Sequence, residues 1–362
     1  MNTSSTPRIP VVRPEAVTPS WLTQALRQRG VDATVESLRA EVVIAGYVGD
    51  CRRFFITYKG TPPPDAPPTV FGKFTSGDAL AAESGKKMGF YRREVMFYQQ
   101  LAHRTRIRAP AAYVAEIDAD DNCVLILEDL APATNRDQVE GCTVDEAQQA
   151  LREAALLHAE FWNDLELMKQ PWVSVPEGAQ GIYTTPQLES AWVYVKKAFA
   201  GRMTPQVIAV CEKFVRNHAW WNRPRQLPKC FQHNDFRPEN MMFGGADGRI
   251  AVVDWQTSSV LGVGMDVAYF LGGIFNRQMR KAHERPLLKG YHDELLRMGV
   301  KDYGFDQLLR DYAHYSMAQL VVAIVGPVIV ERSERGDRLF THMINSAAEQ
   351  AYDNDALDEL PD

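Results

Sequence analysis

Apolar positions change their spacing part-way along the chain: short strand-like runs separated by turn residues occupy the first 130 residues, and helical spacing dominates from about residue 143 onward. After a proline-rich lead-in, Pro19-Ser20 opens a short helix, Trp21 to Gln28. Runs rich in strand formers follow at Val35 to Ile44 and Arg53 to Tyr58, and Ala45-Gly46-Tyr47-Val48-Gly49-Asp50 between them reads as a Gly-containing hairpin turn. A third strand, Thr69 to Phe74, comes after a loop with five prolines, which cannot be sheet interior. Phe90, Tyr91, Val95, Tyr98 and Leu101 recur at helical spacing and predict one long helix over Ala82 to His103. Two more strands, Ala112 to Ile117 and Cys123 to Leu127, are joined by the turn-rich Asp118-Ala119-Asp120-Asp121-Asn122.

Thr143-Val-Asp-Glu146 has the form of a capping box for a helix running to about Asn163. Further helices are predicted at Pro186 to Phe199, Pro205 to Trp220, Gly264 to Lys281, Pro286 to Met298 and Phe305 to Val325. One hairpin interrupts them, Met241 to Phe243 and Ile250 to Val253, and no internal repeat is present. The pattern predicts an α+β chain: a small, mostly β unit over residues 1–130 with one long helix, then a larger, mostly helical unit over 131–362.

Composition narrows the class of function. A chain of 362 residues, 45% hydrophobic and 24% charged, can bury two cores without disulfides. Its 40 Lys plus Arg against 46 Asp plus Glu leave a net charge of −6, which argues against a nucleic-acid or anionic-membrane surface and for a small-molecule partner. The last fifteen residues, Ala348 to Asp362, carry six acids and no base, and are expected to form a solvated, frayed tail. Five cysteines without any Cys-x-x-Cys spacing read as reduced thiols, and the first residues lack the basic start and apolar run of a secretory signal, so a cytoplasmic protein is expected. The longest apolar run, Leu320 to Val330, contains Gly326 and Pro327 and falls short of the roughly 20 residues that span a bilayer. Oligomeric state is not set by any of these features.

The chemistry concentrates in His233-Asn234-Asp235-Phe236-Arg237-Pro238-Glu239-Asn240, followed by the short apolar strand that ends at Asp254. An Asp, an Asn five residues later and a second Asp after a strand form a minimal kit for phosphoryl transfer: Asp235 accepts or orients a hydroxyl proton, and Asn240 and Asp254 hold Mg²⁺ on the phosphates. Each residue alone has a plain structural reading, as turn former or helix cap, but the joint pattern does not.

These residues resemble the protein-kinase-like fold, and within it the small-molecule branch of aminoglycoside phosphotransferases, choline kinases and ecdysteroid-kinase-like proteins. The resemblance covers roughly Glu41 to Leu320 and is marked also by Arg93-Glu94-Val-Met-Phe97-Tyr98, Leu127-Glu128-Asp129-Leu130 and Val253-Asp254-Trp255-Gln256. The small-molecule families usually have Gly between the His and the Asp, where this chain has Asn234. The resemblance implies a bilobal architecture, ATP and Mg²⁺ as cofactors, and a family lysine on the third strand, met here by Lys73. Lys73 wants a carboxylate on the following helix, and Glu94 beside the aromatic stripe supplies it. Gly46 and Gly49 stand where the family covers the nucleotide phosphates, and Glu128 to Leu130 where its hinge binds adenine through backbone groups. Arg237 takes the place of a common lysine and can neutralise the moving phosphoryl group; Asp266 resembles a buried Asp that braces the catalytic loop near His233. His158 reads as a packed helix residue.

Residues 255–265 leave no room for a peptide-binding segment between Asp254 and Asp266, which favours a small hydroxyl acceptor over a protein. The expected activity is an ATP- and Mg²⁺-dependent phosphotransferase acting on an alcohol; the alternatives are a non-catalytic nucleotide-binding regulator and a protein kinase. The acceptor pocket is expected from the helical half, with Trp172, Tyr183, Trp192, Tyr194, Trp220, Trp221 and Tyr315 as candidate lining or core residues.

Overall fold

A computed structural model describes residues 8–43, 49–174, 183–226 and 228–361. The fold is α+β and the chain divides into two compact units: Met1–Arg104 with Ala109–Pro132 and Val253–Thr257, and Thr105–Arg108 with Ala133–Val252 and Ser258–Asp362. The division is therefore not a single cut near residue 130, because the five residues that begin with Val253-Asp254 belong with the β-rich unit.

In the first unit, helix α1 (Pro19–Gln28) starts at Thr18, whose side chain accepts the Trp21 amide, with Pro19 at the first helical position. Strands β1 (Val35–Val43), β2 (Gly49–Tyr58), β3 (Thr69–Thr75), β4 (Ala112–Ile117) and β5 (Cys123–Glu128) form one antiparallel sheet in the order β1-β2-β3-β5-β4. Strand period sets its two faces. On β3, Val70, Gly72 and Phe74 are buried, and Val70 and Phe74 join Phe54, Val114, Val124 and Ile126 in a core covered by Leu22, Ala25 and Leu26 of α1. Gly72 is required there, since a Cβ would stand 2.7 Å from Phe74 and 2.8 Å from Phe54. Lys73 points to the opposite side of the sheet by the same alternation.

The single long helix expected over Ala82 to His103 is broken. Helix α2 (Ala79–Lys87) ends where Gly89 takes φ +71°, and α3 (Phe90–Met96) runs on as a π-helical turn, Phe97–Leu101. Gly89 donates its amide to the Lys86 carbonyl in the left-handed conformation that glycine adopts most readily, a terminator that the aromatic spacing hid.

The second unit begins with α4 (Val144–Glu160), whose capping box between Thr143 and Glu146 is formed in both directions. It continues through α5 (Leu165–Met168), α6 (Thr185–Ala198) and α7 (Pro205–Trp221) to strand β6 (Lys229–Gln232). The hairpin β7 (Met241–Met242) and β8 (Ala251–Val252) follows, and β9 (Ser259–Gly262) returns to pair with β6, a pairing the sequence reading did not include. Helices α8 (Met265–Ile274) and α9 (Arg277–Arg297) replace the expected Gly264–Lys281 and Pro286–Met298. Asn276 caps a new start by accepting the Met279 amide at 2.9 Å, and Pro286 lies inside α9. The expected Phe305–Val325 helix divides into α10 (Phe305–Tyr315) and α11 (Ala318–Ile329). Taken as one stretch, Phe305–Ile329 is long and apolar enough to cross a membrane, yet 72% of its most apolar window is buried inside the protein, as in a core helix.

The acidic end is not a frayed tail. Helix α12 (Glu334–Asp353) covers its first six residues and a 3-10 turn, Ala356–Glu359, most of the rest; Asp353 pairs with Arg277 and Arg280 at 2.6 Å each, and Leu360 is buried. Those arginines lie some 75 residues upstream, so the partners that neutralise the acids are invisible in the local composition.

Candidate active site

Within the first unit, three charged side chains meet. Lys73 Nζ lies 2.6 Å from Glu94 Oε2 and 2.7 Å from Asp254 Oδ1. Glu94, on α3, is 2% exposed and also accepts the Trp255 backbone amide. The Trp255 ring stacks on Phe97, centroids 3.7 Å apart and planes within 8°, which ties the Asp254 segment to the π-helical turn after α3. Burial by itself would push the Lys73 ammonium down, but Asp254 and Glu94 more than offset it and hold its pKa well above the ordinary lysine range. Burial raises the Glu94 carboxyl, with Lys73 opposing. Asp254 itself has φ +68° and accepts a second hydrogen bond from Gln256 Nε2 at 3.2 Å.

Gly49 begins β2 beside this lysine: a Cβ there would sit 3.4 Å from Lys73 Cε. Gly46 lies outside the described residues. Glu128 directs its carboxylate to the Ala111 amide at 3.0 Å and its own amide to the Ala111 carbonyl at 2.8 Å, so it braces β5 against the start of β4. Leu130 follows just past the end of β5, and the intervening Asp129 pairs with Arg53 at 2.8 Å.

In the second unit, β6 delivers the chain into the loop His233 to Asn240, which closes with a 3-10 turn over Pro238–Asn240. Asp266, fully buried at the start of α8, accepts the His233 and Asn234 amides at 2.7 Å each. His158 Nε2 faces the same carboxylate at 3.1 Å, and His158 Nδ1 meets the Tyr291 hydroxyl at 2.8 Å. Asn234 has φ +65°, which explains why an Asn stands where glycine is usual: both tolerate the left-handed region.

Asp235 is thereby presented with its side chain 23% exposed. Arg237 Nε donates to its carboxylate at 3.1 Å, and Asn240 Nδ2 donates both to Oδ2 at 2.7 Å and to the Asp235 carbonyl at 2.9 Å. The amide nitrogen of Asn240 is thus spent on Asp235, leaving Oδ1 as its donor for a cation. Arg237 also pairs with Glu239 at 2.6 Å and with Gln138 at 3.4 Å; burial would lower its pKa, but Asp235, with Tyr269 and Glu239, drives it up. Tyr269 on α8 is buried, and that burial, with the Asp235 charge, pushes its phenol well above the ordinary tyrosine range.

Among the described residues, no group of three or more His, Cys, Asp or Glu side chains could hold a metal ion. Mg²⁺ does not require one, since it keeps waters and takes one or two carboxylates together with phosphate oxygens. The Asp254 carboxylate and the Asn240 amide oxygen are hard donors of that type.

The second unit also holds a cavity of about 860 Å³ between the start of α4, the α8–α9 junction and α12. Among the described residues that line it, Phe275 is the one Phe, Tyr or Trp, beside Val139, Glu140, Asn276, Thr341 and His342. Trp172, Trp192, Trp221 and Tyr315, candidates for an aromatic pocket, are buried core.

Curated protein sequences include no significant match to this chain. Solved structures share its fold. A Ralstonia eutropha JMP134 protein provisionally assigned as an aminoglycoside phosphotransferase is 16% identical with a TM-score of 0.53, over 94% of this chain and 99% of that one. A Plasmodium vivax ethanolamine kinase is 10% identical with a TM-score of 0.51, over 90% and 86%. An amicoumacin kinase in complex with AMP-PNP, Ca²⁺ and Ami is 11% identical with a TM-score of 0.51, over 90% and 92%. The sequence model described as the phosphotransferase enzyme family matches residues 81–307, well over half of the chain and inclusive of Glu94, the whole Asp235 loop, Asp254 and Asp266, and to that family this chain belongs.

Proposed function

We propose that this phosphotransferase is an ATP- and Mg²⁺-dependent kinase that phosphorylates an alcohol hydroxyl of a small organic molecule in the cytoplasm. The observation that carries the reading is Asp235: a partly exposed carboxylate on a loop whose backbone is pinned by Asp266 and whose side chain is oriented by Arg237 and Asn240. Such a group takes the proton of the acceptor hydroxyl while the acceptor oxygen bonds to the γ-phosphorus and the bond to the leaving ADP oxygen breaks; the proton then passes to water. Lys73, fixed between Glu94 and Asp254, supplies the cation for the α and β phosphates. Asn240 and Asp254 would hold Mg²⁺, which when bound neutralises charge on the phosphates. Arg237 contributes positive charge beside the moving group. The five free thiols fit a reducing compartment.

The test is ATP consumption with Mg²⁺ across a panel of hydroxylated metabolites and drugs, wild type beside Asp235→Asn. We expect a compound-dependent signal that the variant lowers by about 10²- to 10⁴-fold, roughly 3 to 5.5 kcal/mol of barrier. Nucleotide binding with no transfer to any acceptor would favour the regulator, and label appearing in polypeptides would favour a protein kinase.

A further inference from the structure

Arg237 and Glu239 flank Pro238, whose ring stiffens the backbone between them, and the 3-10 turn over Pro238–Asn240 follows directly on the loop that carries Asp235. A guanidinium and a carboxylate pair best through two parallel N–H donors. Arg237 does not meet Asp235 that way. Its hydrogen bond there runs through Nε, which lies 3.1 Å from each carboxylate oxygen, while the terminal nitrogen Nη1 goes to Glu239 Oε2 at 2.6 Å and to Gln138 Oε1 at 3.4 Å.

Glu239 is itself held. Its side chain is 16% exposed, and its other oxygen, Oε1, accepts Arg335 Nη2 from the first turn of α12 at 2.9 Å; Arg335 also reaches Asp137 at 3.5 Å. Charges therefore alternate from Asp235 through Arg237, Glu239 and Arg335 to Asp137. A guanidinium is planar, so contacts at Nε and Nη1 fix its plane as well as its place. Were Glu239 uncharged, Asp235 would be the one carboxylate left on Arg237 among the described residues, and the two would close into the two-nitrogen fork. A carboxylate engaged in that fork is a poorer acceptor for the proton of an incoming hydroxyl.

We propose that Glu239 is a positioning residue: by holding Nη1 it keeps Arg237 from closing on Asp235, so that the carboxylate stays open to the acceptor hydroxyl and the guanidinium stays aimed beside the moving phosphoryl group. This rests on the reading of Asp235 as the group that takes the acceptor proton and of Arg237 as the cation beside it. Groups fixed in this way need no reorganisation at the moment of transfer.

The experiment is a double-mutant cycle of Glu239→Gln and Arg237→Gln, with Asp235→Asn alongside, read as Mg-ATP turnover with water as acceptor and then with any alcohol the panel selects. Glu239→Gln is expected to lower kcat about 10- to 100-fold with KM for ATP within about twofold of wild type. In the Arg237→Gln background it is expected to cost nothing further, because it acts through that guanidinium. Glu239→Asp, which keeps the charge on a shorter stem, should recover part of the loss and keeps the test open if Glu239→Gln folds poorly. Gln matches Glu in shape, so a packing role predicts the opposite order of the two variants. Wild-type turnover in Glu239→Gln, an equal loss in both backgrounds, or Glu239→Asp falling below Glu239→Gln overturns the role of Glu239, while a silenced Asp235→Asn leaves the kinase reading standing. Full turnover in Asp235→Asn, or no turnover by wild type with any acceptor, removes both.

Discussion

Two charged clusters, around Lys73 and around Asp235, are built by opposite means. Around Lys73 the charges neutralise one another: a strand lysine lies between two carboxylates, and Glu94 is all but sealed from solvent. Around Asp235 the loop backbone is neutralised by Asp266 while the reactive carboxylate stays partly exposed. The first arrangement couples site chemistry to stability, because buried charges tolerate loss of a partner badly; the second loosens that coupling, because Asp266 holds the loop backbone and Arg237 keeps Glu239 at 2.6 Å when the Asp235 charge is removed.

Substitutions at four positions would break or sharpen that contrast. Lys73→Met leaves Glu94 and Asp254 without their cation and is expected to cost about 3–5 kcal/mol in urea unfolding, whereas Asp235→Asn should stay within about 1 kcal/mol of wild type. Equal stability of the two variants would dissolve the distinction. Asp353→Asn tests whether buried charge behaves alike in the helical unit. It weakens the hold on Arg277 and Arg280, the latter 1% exposed, and should cost about 2–3 kcal/mol in the same assay. A change below measurement would restore the picture of a dispensable acidic end. Smallest is the effect at Asn234. Asn234→Ala should destabilise by about 1–2 kcal/mol and Asn234→Gly by less: both lose the Asn234 Nδ2 bond to Ser259 Oγ at 2.7 Å, but glycine, like asparagine, tolerates φ +65° better than alanine does. Thermal melts of the pair would show whether the loop pays for its shape in conformation rather than in charge.

Much of this was legible in the chain. The five strands, α1, α4, α7 and the β7–β8 hairpin follow from apolar spacing, turn residues and caps that act within a few residues of one another. The spacing of Asp235, Asn240 and Asp254 is likewise local, and so is the run that identifies the family. Helix breaks were less legible: Gly89 and Asn276 interrupt runs whose apolar period continues across them, so the period alone reads as one helix. The acidic end was misread because its basic partners lie far upstream.

Sequence by itself therefore determined most of the strands and several helices, the passage from strand-rich to helix-rich segments, and the types of chemical group available for phosphoryl transfer, since all of these depend on neighbours within a turn or a hairpin. Tertiary structure decided which groups meet. Lys73 reaches Asp254 across 181 positions, and His158 reaches Asp266 across 108. Such pairings are chosen by burial and by the need to satisfy polar groups removed from water, and those depend on the closed fold rather than on any stretch of chain.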